Sequence, residues 1–441
     1  MKPMQSSSTR PVCVRKTLAA FTALLILAAS AFASDRAQRN PPATESVIYN
    51  FTTTYSNPFN SLTADAAGNL YGTAFDGTTY PNGAIFQLTP NGNTWNEKAL
   101  VIFNGKNGGY PSAQMVFDGQ GNLYGSTLQG GNRPCGTPQI GCGVVFELSP
   151  SANGAWKYTI LYSFQNGNDG ASPETNMVLD PSGNLYGVTG FTSGAGSNGT
   201  VFELERPSQG SDSWKYKELF LFDGTDGFIP NSLTYSGGAL YGTTSEGGSS
   251  NYTGSVFQLK PENGSWKYSL VYAFTGGADG GFPGYIGSSG TPNVLYGTAG
   301  GGESTYGVLF KIAPNSNGGW TESVLYNFAG GTDGIYPGPL TITNSDQIFG
   351  TTNSGGDASA CSFLYPYLGC GTVFEFVPST GAETVLHAFA GPSTDGGGPY
   401  SSGVIFGKGG ALYGTTYYGG NGQCSNGTEV VGCGVVYSVT P

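Results

Sequence analysis

The chain has 441 residues, 17 of them basic and 28 acidic, and so acidic a balance excludes sequence-independent nucleic-acid binding and adhesion to anionic lipid, both of which need a basic surface. Glycine at 74 positions, a 13% aromatic share and only 10% charged residues point away from helices and towards short strands joined by turns.

Residues 1–33 read as a secretory signal peptide. Lys2, Arg10, Arg15 and Lys16 form a basic start, Leu18 to Ala29 is an apolar run, and Ala31 to Ala33 offers small residues for cleavage. The apolar run is short for a membrane span, and no later segment approaches the needed length. Cys13 precedes that run, so it is not placed for lipid modification after cleavage. The expected product is exported and soluble, with 34–43 as a short linker and 44–441 as one domain. Its 13 basic residues against 28 acidic ones give a net charge of −15, which leaves cations, neutral polymers and basic partners open.

A repeat fills the rest of the chain. The anchor "NLYGT" and its variants place an aromatic at Tyr71, Tyr124, Tyr186, Tyr241, Tyr296, Phe349 and Tyr413, spaced 53 to 64 residues apart. A second apolar element follows at Phe86, Phe146, Phe202, Phe257, Phe310, Phe374 and Tyr437. A third opens at a tryptophan, as in "WKYTILYSF" from Trp156, and a less regular fourth precedes each anchor, as in "NSLTAD". Each is short, alternates apolar and polar residues, and is bounded by Gly, Asn, Asp or Pro, the pattern of strands and turns. Four strands in each of seven units predict an all-β, seven-bladed β-propeller. The ends agree: "ESVIYNF" (Glu45 to Phe51) matches the last strand of a unit, while "GVVYSVTP" at the C-terminus matches the third. Pairing the two closes the ring and leaves no free sheet edge.

Between the anchor aromatic and the next strand's aromatic, four units take 14 to 16 residues and three take 22 to 25. Each long loop holds two cysteines. Three local disulfides are therefore expected, Cys135–Cys142, Cys361–Cys370 and Cys424–Cys433, in an oxidising compartment. The spacings lack the short gaps of zinc sites, and His387 is the only histidine.

These units resemble the bacterial GloVer tandem-repeat family, secreted proteins with alternative C-terminal anchors. The likeness rests on "GNLYGT" at 68–73, "GTVFELERP" at 199–207, "WTESVLYNFAGGTDGIYP" at 320–337 and "ALYGTTYYGG" at 411–420, and spans 44–441. It implies an extracytoplasmic repeat protein and brings no settled activity with it. The chain departs from the family in ending on a blade strand without a sorting tail. Unit six also departs, with Phe349 for tyrosine and Gly381-Ala382 at the tryptophan position.

Catalytic signals are few. No mature serine sits in G-x-S-x-G and no lysine begins a P-loop pair; "GAGSNG" at 194–199 matches G-x-G-x-x-G but has no helix after it. His387 falls where other units carry tyrosine, a routine strand position. The recurring polar feature is the segment entering each blade, as in "GTDGFIP", which places Asp169, Asp226, Asp279, Asp333 and Asp395 at equivalent sites. Tyr110, Phe228, Phe282, Tyr336 and Tyr400 lie beside the following proline. Asp-Gly is ordinary turn chemistry that every blade needs. The functional alternative is a rim where carboxylates hold a cation or sugar hydroxyls and aromatics offer stacking faces. Calcium would suit such oxygen-only ligands, although no calcium-loop motif is present; the identity of any metal stays open, and no other cofactor is expected. The five tryptophans are placed for blade-to-blade packing.

The favoured reading is a secreted monomer without catalysis. It would bind an extracellular polysaccharide or a cell-envelope protein on the Asp-Gly face, with no nucleic acid and no membrane insertion. The alternative is a polysaccharide hydrolase or lyase that uses carboxylates on that face.

Overall fold

The computed structural model describes residues 43–441 apart from 136, 174, 191–197, 209–212, 249–251, 303–305, 357–360, 362–368, 392–393, 426 and 428. The expected signal peptide, the linker up to residue 42 and most of "GAGSNG" lie outside the described residues. The remainder forms seven antiparallel sheets of four strand positions each, arranged as a ring, with no α-helix among the described residues. In blade 4, for example, the order from the axis outwards is Phe228–Ser236, Ala239–Glu246, Ser255–Glu262 and Ser265–Ala273.

The ring closes as the two chain ends imply. Thr44–Asn50 pairs antiparallel with Val435–Thr440, from Thr44 opposite Thr440 to Asn50 opposite Val435, and becomes the outer strand of blade 7. Its register shifts between Val47 and Tyr49, and a shift at the same place interrupts the outer ladder of the other six blades. The first strand thus carries the bulge of a true fourth strand.

Two glycine positions explain why the sequence anchors repeat together. The glycine of each "YG" pair faces the aromatic of the third strand: a Cβ on Gly242 would collide with the Phe257 ring, and the same holds for Gly72 and Phe86 or Gly297 and Phe310. All seven of these third-strand rings are fully buried, and each such ring contributes about 2–3 kcal/mol through its burial.

The second glycine begins the third strand and joins one blade to the next. Gly83, Gly143, Gly199, Gly254, Gly307, Gly371 and Gly434 all have φ between 82° and 114°. A Cβ there would lie within 2.8 Å of the proline Cδ that enters the following blade. The residue before that proline is itself left-handed, at φ 52° to 62°, in Asn57, Tyr110, Ser172, Ile229, Phe282, Tyr336 and Gly398. Its N–H donates to the carbonyl just before the junction glycine, at 2.7–3.2 Å, in all seven cases.

The tryptophans act between blades. Trp156, Trp214, Trp266, Trp320 and Trp95 each meet the anchor tyrosine of the preceding blade edge to face, with ring centroids 5.5–5.8 Å apart. Such pairs add roughly 0.5–1.5 kcal/mol beyond area burial.

The three disulfides pair as expected, with Cα–Cα distances of 5.0, 5.2 and 5.0 Å. The first closes a short hairpin, Pro134–Cys135 with Thr137–Gly141. In each pair the second cysteine precedes a junction glycine, so its carbonyl accepts the inter-blade hydrogen bond.

Two outcomes are expected. Gly254→Ala places a methyl against Pro283 in a backbone conformation that disfavours it, and should lower unfolding free energy by about 2–4 kcal/mol, read from the denaturant midpoint. Replacing Cys361 and Cys370 with alanine should cost about 2–3 kcal/mol by loop-closure entropy, and non-reducing peptide mapping of the wild type should return only the three local pairs.

Candidate functional site: the axial pocket and its rim

All seven blades contribute to a cavity of about 470 Å³ on the axis. Its lining combines the amides of Asn60, Asn176, Asn231 and Asn353, the hydroxyls of Ser112, Thr175, Ser232, Thr298 and Ser401, and the rings of Phe59, Phe75 and Tyr285. No charged residue lines it among the described residues. Most of these groups arrive there because the junction proline fixes where each inner strand starts and the residues soon after it reach the axis, while Phe75, Thr298 and Asn353 come from the second strands.

Part of this polar lining is engaged. Asn231 donates to Ser245 Oγ (2.7 Å) and to the Pro283 carbonyl (2.9 Å) while accepting from the Thr243 hydroxyl (2.6 Å). Asn176 accepts from the Gln114 N–H at 2.9 Å. Three lining atoms, Ser112 Oγ, Thr175 Oγ1 and Asn353 Oδ1, are buried without a hydrogen-bond partner. Ser112 and Thr175 are each only 5% exposed. A buried polar atom left unpaired is costly, and a lining with several of them is suited to a polar ligand.

Aromatic rings run from the pocket across blades 2, 1 and 7. Tyr110 meets Phe75 at 5.2 Å, Phe75 meets Phe59 at 5.5 Å, Phe59 meets Tyr417 at 6.2 Å, and Tyr417 meets Tyr400 at 5.7 Å. A second cleft of about 610 Å³ opens beside Tyr110, bounded by Ser56, Asp76 and the disulfide loop at Gln423 to Ser425. Phe282 and Tyr336, 55% and 50% exposed, hold the pre-proline position in blades 5 and 6. Phe228, one residue before the pre-proline position in blade 4, is half-buried.

The five aspartates serve a different place. Each carboxylate caps its own loop, and none is among the residues lining the axial pocket. Asp169 accepts from the N–H groups of Gln165 and Gly167 at 2.9 Å and from the Tyr162 hydroxyl at 3.0 Å. Asp279 repeats this with Thr275 N–H (2.8 Å) and Tyr272 (2.9 Å), and Asp333 with Ala329 N–H (2.8 Å) and Tyr326 (3.0 Å). Asp226 accepts from the Asp223 N–H at 3.0 Å. In Asp395 the tyrosine is replaced by His387, whose Nε2 lies 2.7 Å from Oδ2.

A third residue completes each junction, two places after the tryptophan position of the next outer strand. In blades 2, 3 and 4 it is tyrosine: Tyr216 stacks on Tyr162 at 4.5 Å, and Tyr268 donates to the Asp226 carbonyl at 2.6 Å. In blades 1, 5, 6 and 7 it is glutamate, namely Glu97, Glu322, Glu383 and Glu45. Burial, and then the nearby Asp279 charge, push Glu322 up to about 7. For Asp279, burial acts upward as the largest single influence, but hydrogen bonds from Thr275 and Tyr272 outweigh it and hold the carboxyl below its usual range.

The pocket amides and Phe59, Phe75 and Tyr417 carry no repeat signal in the sequence. What they share is position: Phe59 and Asn231 directly follow the junction proline, and Phe75 and Tyr417 follow a "YGT" anchor.

Fold and site together define a ring-closed seven-bladed propeller with a neutral polar axis. The chain belongs to the Gloeobacter/Verrucomicrobia repeat family, whose profile matches residues 38–253, 138–365 and 233–441. No curated protein matches the sequence. Among solved structures, a protein from Bacteroides uniformis assigned provisionally as a 6-phosphogluconolactonase is 16% identical, with 74% of this chain and 83% of that one aligned at a TM-score of 0.48. A periplasmic gluconolactonase from Pseudomonas aeruginosa is 16% identical, with 76% and 85% aligned and a TM-score of 0.45. A quinone-bound aldose sugar dehydrogenase from Streptomyces coelicolor is 13% identical, with 70% and 92% aligned and a TM-score of 0.41. Similarity at this level carries no inference about chemistry.

Glu322 gives the stability a pH dependence. Its folded-state value lies above its ordinary one, so its contribution is complete below about pH 4.5 and is lost as pH rises through about 7. Asp279 works in the opposite sense and loses its contribution only on stronger acidification. Thermal unfolding should therefore occur at higher temperature at pH 5.5 than at pH 8, and Glu322→Gln should narrow that gap. An unchanged gap in the variant would remove Glu322 as its source.

Proposed function

We propose that this chain is an exported, non-catalytic binding propeller that takes a neutral hydroxyl-rich polymer, a glycan in first place, at its axial pocket and along the aromatic arc beside it. The observation that carries this reading is the uncharged pocket with three unpaired polar atoms, Ser112 Oγ, Thr175 Oγ1 and Asn353 Oδ1, flanked by a run of tilted and edge-on aromatic rings. Amides and hydroxyls match sugar hydroxyls in donor and acceptor character, and aromatic faces accept the apolar side of a sugar ring. The second cleft next to Tyr110 supports a polymer rather than a single sugar, because the arc leads from one cavity towards the other.

In this reading Asp226, Asp279, Asp333 and Asp395 hold the loops that present Phe228, Phe282, Tyr336 and Tyr400, Asp169 holds the matching loop of blade 3, and Asn107 does so for Tyr110 by accepting from the Asn104 N–H and donating to the Ile102 carbonyl. Export is supported by the three disulfides, which persist in oxidising compartments. Among the described residues no helix is long and apolar enough to cross a membrane.

Binding to a polysaccharide panel, followed by calorimetry on the best ligand, tests the proposal. Phe75→Ala and Asn353→Ala should each weaken affinity by about tenfold, the loss of one stacking face or one hydrogen bond. Wild-type affinity in both variants would eliminate the axial site. Release of new reducing ends or unsaturated sugars would replace the non-catalytic reading with a hydrolase or lyase. A folded protein that binds no glycan would turn the search to a cell-envelope protein.

A further inference from the structure

We propose that Glu45, His387 and Asp395 form a site for a divalent transition ion, zinc in particular, that locks the N-terminal strand into the ring. The three residues come from separate parts of the closure. Glu45 lies on the strand Thr44–Asn50, His387 on the outer strand of blade 6, Ala382–Ala388, and Asp395 on the loop between blades 6 and 7. One ligand-capable atom from each falls within 4.8 Å of the other two. Donor atoms that share a zinc ion at about 2.0–2.2 Å stand roughly 3–4 Å apart, so small side-chain rotations suffice.

Three observations converge on this junction. It is the one group of three His, Cys, Asp or Glu side chains with this mutual reach among the described residues. Glu45 Oε1 is buried and has no hydrogen-bond partner, an orphaned acceptor on one of the three residues. Asp395 is only 8% exposed, and its Oδ1 is already held by the Ala390 N–H (2.8 Å) and the Thr394 hydroxyl (3.3 Å), which leaves Oδ2 aimed at His387. The imidazole is fixed by edge-on packing against Phe389, at 4.9 Å.

Comparison with the other blades shows what is special here. Glu322, Asp279 and Tyr272 form the corresponding junction between blades 4 and 5, where tyrosine supplies only a hydroxyl. The chain's single histidine takes that tyrosine's place in blade 6 and converts two carboxylates and a phenol into two carboxylates and an imidazole. One nitrogen and two oxygens suit zinc or manganese better than calcium, which takes oxygen ligands throughout. Bound there, the ion would tie the closing strand of blade 7 to blade 6, and would stabilise only the closed ring.

The test is calorimetric titration of the chelator-washed full chain with zinc alone and with calcium alone, alongside thermal unfolding. One zinc per chain is expected, with a melting temperature that rises on zinc addition. His387→Tyr installs the residue that blades 2, 4, 5 and 7 carry there, as Tyr162, Tyr272, Tyr326 and Tyr49, and should fold normally; it should weaken zinc binding at least tenfold and abolish the thermal shift. Glu45→Gln should weaken binding while leaving the unliganded protein folded. A wild type that binds no zinc, or a His387→Tyr variant that binds as tightly as the wild type, overturns the proposal.

Discussion

The structure depends on one junction repeated seven times. A glycine that begins the third strand of one blade has no room for a side chain, because the proline entering the next blade occupies that space. The residue before the proline adopts a left-handed backbone, although the proline after it and, at every junction but that of Gly398, its own side chain disfavour that conformation. Such a conformation costs about 1–2 kcal/mol at a residue with a side chain. It persists because its N–H completes an inter-blade hydrogen bond, and because the proline then fits against bare backbone. The disulfides act at the same point: in all three enlarged loops the second cysteine supplies the accepting carbonyl, so the loop can grow without loosening the junction.

Charge is sorted radially around this frame. The carboxylates of the entering loops meet tyrosine, histidine or glutamate of the outer strands, away from the axial lining. The axis receives amides, hydroxyls and rings. Physical crowding accounts for the division. Seven blades converge at the axis, and equivalent aspartates there would place like charges together in a poorly solvated space. Spread over separate junctions, each can be satisfied by local N–H donors. Where a glutamate joins the pair, as at Glu322 and Glu45, burial above all raises a carboxyl to about 7.

Repetition made the fold readable. Tyr241, Gly242 and Phe257 recur in register because each ring needs a bare glycine beneath it, so the spacing of anchors reports strand pairing directly. The strand from Glu45 matches the outer-strand pattern even to its bulge, and this revealed the closure. The cysteine pairs were legible for the same reason, as departures from a fixed loop length. The site was less legible. Asn60, Asn231, Asn353 and Phe75 differ from blade to blade, so no period marks them, and they meet only because the ring brings them to one axis.

The sequence by itself determined seven blades, their strand order, the closing strand and three local disulfides, because each is fixed by contacts that recur at a constant spacing along the chain. Tertiary structure alone decided which residues share the axis and where each carboxylate goes. It drew the aspartates, which the repeat makes conspicuous, into their own loops. It also gathered Glu45, His387 and Asp395, whose first and last members are 350 residues apart, at one blade junction. Convergence at an axis and across a ring closure joins residues with no fixed sequence separation, and periodicity cannot express that.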